Sequence, residues 1–152
     1  ELLLVIAVIA ILASMAMPNY HKFKVRQQVD QTSDQMRDHL ELARAHAQSQ
    51  HVKVKVCPIA LSDLSSSTPT CLKQSTQWLA WMVTRKDNNS ILARAQKPSQ
   101  DISITSGLRD GVEFDERGMA SSFANATISI TSVRDAQIKS ELKIAPTGRV
   151  TQ

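Results

Sequence analysis

The chain has 152 residues, 42% hydrophobic and 21% charged, with only four Gly and five Pro. That is one domain's worth of chain and excludes collagen-like, low-complexity and disordered classes. Eighteen Lys and Arg against fourteen Asp and Glu give +4, which permits an anionic partner without requiring one. The length leaves no room for a second domain with its own cofactor module, and no cofactor or small-molecule substrate is expected.

Residues 2–17, LLLVIAVIAILASMAM, carry no charge. As a helix they span about 24 Å, short of the roughly 30 Å hydrocarbon core. Such a run fits a signal-peptide core, a buried helix or a slightly truncated membrane anchor. A signal peptide needs a basic stretch before the run, and here the run follows Glu1. A carboxylate at the centre of a lipid-embedded helix costs about 2.5–3.5 kcal/mol. It is tolerable near the interface, or beside a cation from another chain; a charge left at a trimmed terminus is the alternative.

Past Pro18 the apolar positions are Val25, Val29, Met36, Leu40, Ala43 and Ala47, spaced by 3, 4 and 7. No Gly or Pro interrupts residues 19–50, so the spacing predicts one amphipathic helix continuing the apolar one. The whole is on the order of 75 Å long. Pro18 removes a backbone donor and is expected to bend or loosen it. The period then changes. In HVKVKVC, His51, Lys53 and Lys55 alternate with Val52, Val54 and Val56, which predicts a half-buried strand with a basic outer stripe. Residues 58–70 read as a polar loop between Cys57 and Cys71. QWLAWMVTRK reads as a strand ended by a turn at Asp87, Asn88 and Asn89, with Trp78 and Trp81 on opposite faces unless a bulge intervenes. Further short strands are expected at 90–95, 102–105, 111–114, 126–131 and 138–144. A helix followed by many short strands is α+β with an antiparallel sheet.

Glu1, the apolar run, and a proline then an asparagine at 18 and 19 resemble the start of a mature type IV pilin or type II secretion pseudopilin. LELARAHAQSQHVKVKVCP, WLAWMVTRKD, VEFDERGMA and the closing APTGRV, in that order, resemble the GspH/FimT group of minor pilins and minor pseudopilins. Two positions depart from it: Ala80 stands where the group usually has Gly, and Thr151 where an Arg is common.

The resemblance implies a type IV pilin-like fold: a long N-terminal helix packed on an antiparallel β-sheet domain. Residues 1–18 would form the membrane and fibre-core half of the helix, 19–50 its amphipathic half, and 51–152 the β-rich head. It implies a non-enzymatic role in pilus assembly, at initiation or the tip, with a pseudopilin of type II secretion as the alternative. Partners would be other major and minor pilins, and the inner membrane before assembly, with the head in the periplasm and then on the extracellular pilus. Glu1 would pair with a neighbour's terminal amine, and Pro18 would let the heads settle around the helix bundle. With the head outside the cytoplasm, Cys57 and Cys71 are expected to be bonded; two separate buried thiols is the other reading.

Some members of the group bind double-stranded DNA through a C-terminal GRxR motif. Here Gly148, Arg149, Val150 and Thr151 match only its first arginine. Arg149 is therefore the leading candidate contact, with Lys143, Lys53 and Lys55 as supporting charge. Residues 21–55 hold seven Lys and Arg against four acids, and residues 134–152 hold four against two. Neither the four histidines nor the cysteines have metal-ligand spacing, and His39 and His46 read as a solvated helix face. Asp110, Glu113, Asp115 and Glu116, flanked by Arg109 and Arg117, read as a turn surface with local salt bridges. No nucleophile–base pair can be nominated.

Overall fold

The computed structural model describes residues 2–121 and 126–152; within the first helix, the side chains at 2, 4, 10 and 12–19 lie outside that description. Helix α1 spans Leu2–Gln50 and runs without a break through Pro18. It stops where His51 turns left-handed at φ 52° and the Val52 N–H reaches back to the Ala47 carbonyl at 3.3 Å. That six-to-one bond satisfies a terminal carbonyl, while Val52 packs against the core.

All six residues of the expected stripe, from Val25 to Ala47, are buried. Thr32 and Ser33 fill the gap between Val29 and Met36. Thr32 donates to the Gln28 carbonyl, and the Ser33 and Ser140 hydroxyls meet at 2.8 Å, so neither buried oxygen is stranded.

Two antiparallel four-stranded sheets complete the head. The first has the order β3–β2–β1–β5, from Ile91–Gln96, Ala80–Arg85, Val54–Ile59 and Val112–Phe114. The second has the order β4–β6–β7–β8, from Ile102–Ser106, Ala126–Ser132, Lys139–Ile144 and Val150–Thr151. In β6 the burial alternates at every residue, as a sheet with one covered face requires. α1 touches strands of both sheets, and one core joins all three layers.

Two sequence expectations need correction. Strand β1 begins at Val54 rather than His51 and continues through Pro58 to Ile59. Pro58 lies beyond the reach of β5, which pairs only with residues 54–56, so its missing N–H costs no ladder bond there. Trp78 and Trp81 do not divide between two faces; both are fully buried in the main core. The chain changes sheets between them. Gln77 bridges Thr105 and the Trp78 N–H bonds Ile104 on the second sheet, whereas Ala80 already pairs with Ile59 on the first. The tail, beyond the last expected strand at 138–144, adds a short strand of its own. The Gly148 N–H bonds Ala145, the Ala145 N–H bonds Arg149, and Gly148 sits at φ 77°, closing a tight hairpin onto β7.

Cys57 and Cys71 are disulfide-bonded, with Cα atoms 5.6 Å apart. The loop they close covers a satellite core of Cys57, Ile59, Ala80 and Met82, with Leu64 and Ile91 at its margin. This is why β1 is buried on both faces at its end. Arg94 donates to the carbonyls of Leu64 and Ser66, and Asp63 accepts from the Thr70 N–H, so the loop is tied at several points.

Candidate functional site

Two regions of the surface are not explained by the head's own stability. The first is the leading part of α1. Leu3, Val5, Ile6, Val8, Ile9 and Ile11 are 48–84% exposed, and at 100° per residue they point in all directions around the axis. No described element of the head covers them. Glu1 lies outside the described residues, as does the Pro18 side chain, so the pairing and hinge expectations have no geometry here. Among the described residues, no helix is long and apolar enough to cross a membrane.

The second region is a groove of about 670 Å³ between α1 and the C-terminal hairpin. Arg37, Glu41, Arg44 and Gln48 line it from the helix, and Arg149 and Thr151 from the tail. Arg37 is paired with Glu41 at 2.9 Å. Arg44 buries its Nε without a hydrogen-bond partner. Small residues bring the walls together. A Cβ on Gly148 would overlap the Gly118 carbonyl, and one on Gly118 would overlap the Gln48 side chain. Gln48 in turn donates from Nε2 to the Arg117 carbonyl at 2.9 Å. The segments LELARAHAQSQ, VEFDERGMA and APTGRV, far apart in sequence, thus meet at one place.

The candidate DNA contacts are only partly brought together. Arg149 is exposed in the groove, and Lys143 is exposed on β7 opposite Thr151. Lys53 and Lys55 belong to the first sheet's side of the head. Lys55 faces a different depression, beside Lys73, Lys86 and the disulfide loop. Arg37 and Arg44 were missed from sequence. Their spacing of seven places them on one helix face, but nothing local says that the tail folds against that face.

The histidines and acids settle into structural roles. His39 is half-buried rather than solvated, and its Nδ1 accepts the Trp81 indole hydrogen at 3.0 Å. Burial pushes its pKa below the ordinary imidazole value, partly opposed by Asp38. His46 is also partly buried, with Nε2 unpartnered. Asp115 accepts from the Arg117 and Met119 N–H groups, and Asp110 from that of Gln74. The one ion pair of this cluster among the described residues is Lys86 with Glu113; Arg109 and Arg117 form none. No group of three potential metal ligands occurs among the described residues.

A long helix laid across two antiparallel sheets, with its leading part uncovered, defines the type IV pilin class of fold. The crystal structure of the type IV minor pilin FimU from Pseudomonas aeruginosa PAO1, in space group P21, matches with a TM-score of 0.64 at 16% identity. That match covers 85% of this chain and 90% of FimU. A second FimU crystal form, P65, gives 0.60 at 16% identity, covering 81% and 90%. The family model described as type II transport protein GspH matches residues 32–148. The chain belongs to the GspH family. No curated protein matches it.

Proposed function

We propose that this chain is a minor subunit of a type IV pilus, acting at initiation or at the tip, with residues 1–18, the apolar half of its long helix, held in the inner membrane before assembly. One observation carries the reading. A helix whose leading residues expose apolar side chains on every side, while its following half is packed, needs a cover from outside the chain. Lipid provides that cover first, and the helices of other pilins provide it in the fibre. Glu1 would be relieved there by a neighbour's amine, because an unpaired carboxylate in an apolar bundle is costly. A minor pseudopilin of a type II secretion system would use the same surfaces. A deletion strain scored for piliation, exoprotein release and DNA uptake tests the reading. Loss of exoprotein release with normal pili would move the chain to secretion.

The groove favours a second activity of the same subunit, contact with DNA phosphates. Arg149 is not alone at the tail: Arg44 lines the same groove and forms no ion pair among the described residues. Binding through phosphates would be sequence-tolerant, salt-dependent and in the micromolar range or weaker, on the order of 10⁻⁶–10⁻⁴ M. In a salt titration of duplex binding, Arg149→Ala is expected to weaken binding and Thr151→Arg to strengthen it, with Lys53→Gln and Lys55→Gln nearly neutral. Absence of salt-dependent binding at low ionic strength would remove this activity and leave the assembly role standing.

A further inference from the structure

We propose that the cleft where α1 leaves its apolar segment binds the phosphate of an anionic glycerophospholipid; this rests on reading that segment as membrane-held. After the apolar run, the described helix exposes Tyr20, His21, Lys22, Phe23, Lys24 and Arg26. Between Leu2 and Val29 there is no acidic residue; the first is Asp30. Aromatic rings followed at once by cations are the arrangement of a membrane–water boundary.

The distances fit. At 1.5 Å per residue, Lys22 and Phe23 lie about 7.5–9 Å beyond Met17, at the outer edge of a headgroup layer of roughly 5–8 Å per leaflet, toward which their side chains lean back. Helical side chains lean toward the N-terminus, and Lys and Arg stems extend along apolar surface, so Arg26 also reaches back to that layer.

The cleft itself, about 410 Å³, has an amphiphilic lining. Phe23, Val29 and Ile138 form its apolar part, and Lys22 and Arg26 stand one turn apart along one side. Neither cation has an ion-pair or hydrogen-bond partner among the described residues. Lys139, across the cleft, is engaged by Glu141 at 3.1 Å. Asp30 and Asp135 also line the cleft, and Asp135 accepts the Gln137 N–H. Two free cations beside an apolar wall suit a phosphate with the glycerol and first methylenes against Phe23. The two carboxylates accept the hydroxyl hydrogens of a glycerol headgroup.

The test places the full chain in nanodiscs of phosphatidylcholine, alone or mixed with phosphatidylglycerol or with phosphatidylethanolamine. Lipid retained after mild detergent extraction is weighed by native mass spectrometry. The chain is expected to retain phosphatidylglycerol about thirtyfold better than phosphatidylcholine, from two cation contacts. The double substitution Lys22→Gln, Arg26→Gln is expected to abolish the preference, and Lys24→Gln, outside the cleft, to keep most of it. Near-ultraviolet circular dichroism from the buried Trp78 and Trp81 reports that the variant heads remain folded. Equal retention of the two lipids, a preference for phosphatidylethanolamine, or equal losses in all variants would overturn the site while the chain still co-elutes with the discs. A chain that enters no disc would overturn the membrane reading together with the site.

Discussion

His39 and Trp81 meet edge to face, with ring centroids 6.1 Å apart, and their hydrogen bond requires a bare Nδ1 on the imidazole. Protonation puts a hydrogen there and turns an acceptor toward a donor. The folded pKa is lowered, so the unfolded chain takes up the proton first as pH falls below about 6.5. Stability is therefore unaffected by this group above that value and declines as pH drops below it. Melting temperatures of the head between pH 7.5 and 5 should fall, and His39→Gln, which keeps an acceptor without titrating, should flatten the decline. Equal slopes in both proteins would remove His39 as the cause. Gly148 makes a second residue-scale case. Gly148→Ala meets both a left-handed φ and the Gly118 carbonyl, and is expected to cost about 1–3 kcal/mol in urea unfolding.

At the scale of elements, the disulfide loop acts as a lid over its own small core. Closing about fifteen residues stabilises by roughly 3 kcal/mol in the chain-entropy model. The paired substitution Cys57→Ser, Cys71→Ser should lower unfolding stability by about that amount. Hydrogen exchange should quicken over residues 60–72 and not in the stretch of α1 around Leu40, because the satellite core contains no residue of α1. Exchange that quickens equally in both places would mean that the loop and main core open together. The hairpin β7–β8 is the other short element with consequences, since it carries Arg149 to the helix. The sequence showed its glycine and its arginine, but a two-residue strand has no period to read.

At the scale of the molecule, the core residues of α1 begin at Val25 while the apolar surface lies ahead of it. A chain starting at Lys24 should therefore be soluble and monomeric by sedimentation velocity, whereas the full chain should need detergent. Glu1→Ala should still enter membranes but be depleted from sheared fibres. Wild-type levels of that variant in fibres would end the pairing role.

Local pattern determined much of this protein. The apolar run shows in composition alone, and the buried stripe from Val25 to Ala47 and the approximate places of most strands follow from periods of 3.6 and 2, which each element carries within itself. The bond between Cys57 and Cys71 was expected from the extracytoplasmic head that the resemblance implies together with the short polar loop the two bracket, and the structure decided it against two separate thiols. The remainder depended on contacts between segments remote in sequence. Both tryptophans are in the core because the chain changes sheets at Leu79, and a strand period continued through that bend assigns one of them to the wrong face. His39 is half-buried because Trp81, 42 residues away, lies against it. Arg149 shares a groove with Arg37 and Arg44, not with Lys53 and Lys55, because Gly118 and Gly148 let two turns close on the helix. Charge and composition identify which side chains can bind an anion; only tertiary packing decides which of them stand together.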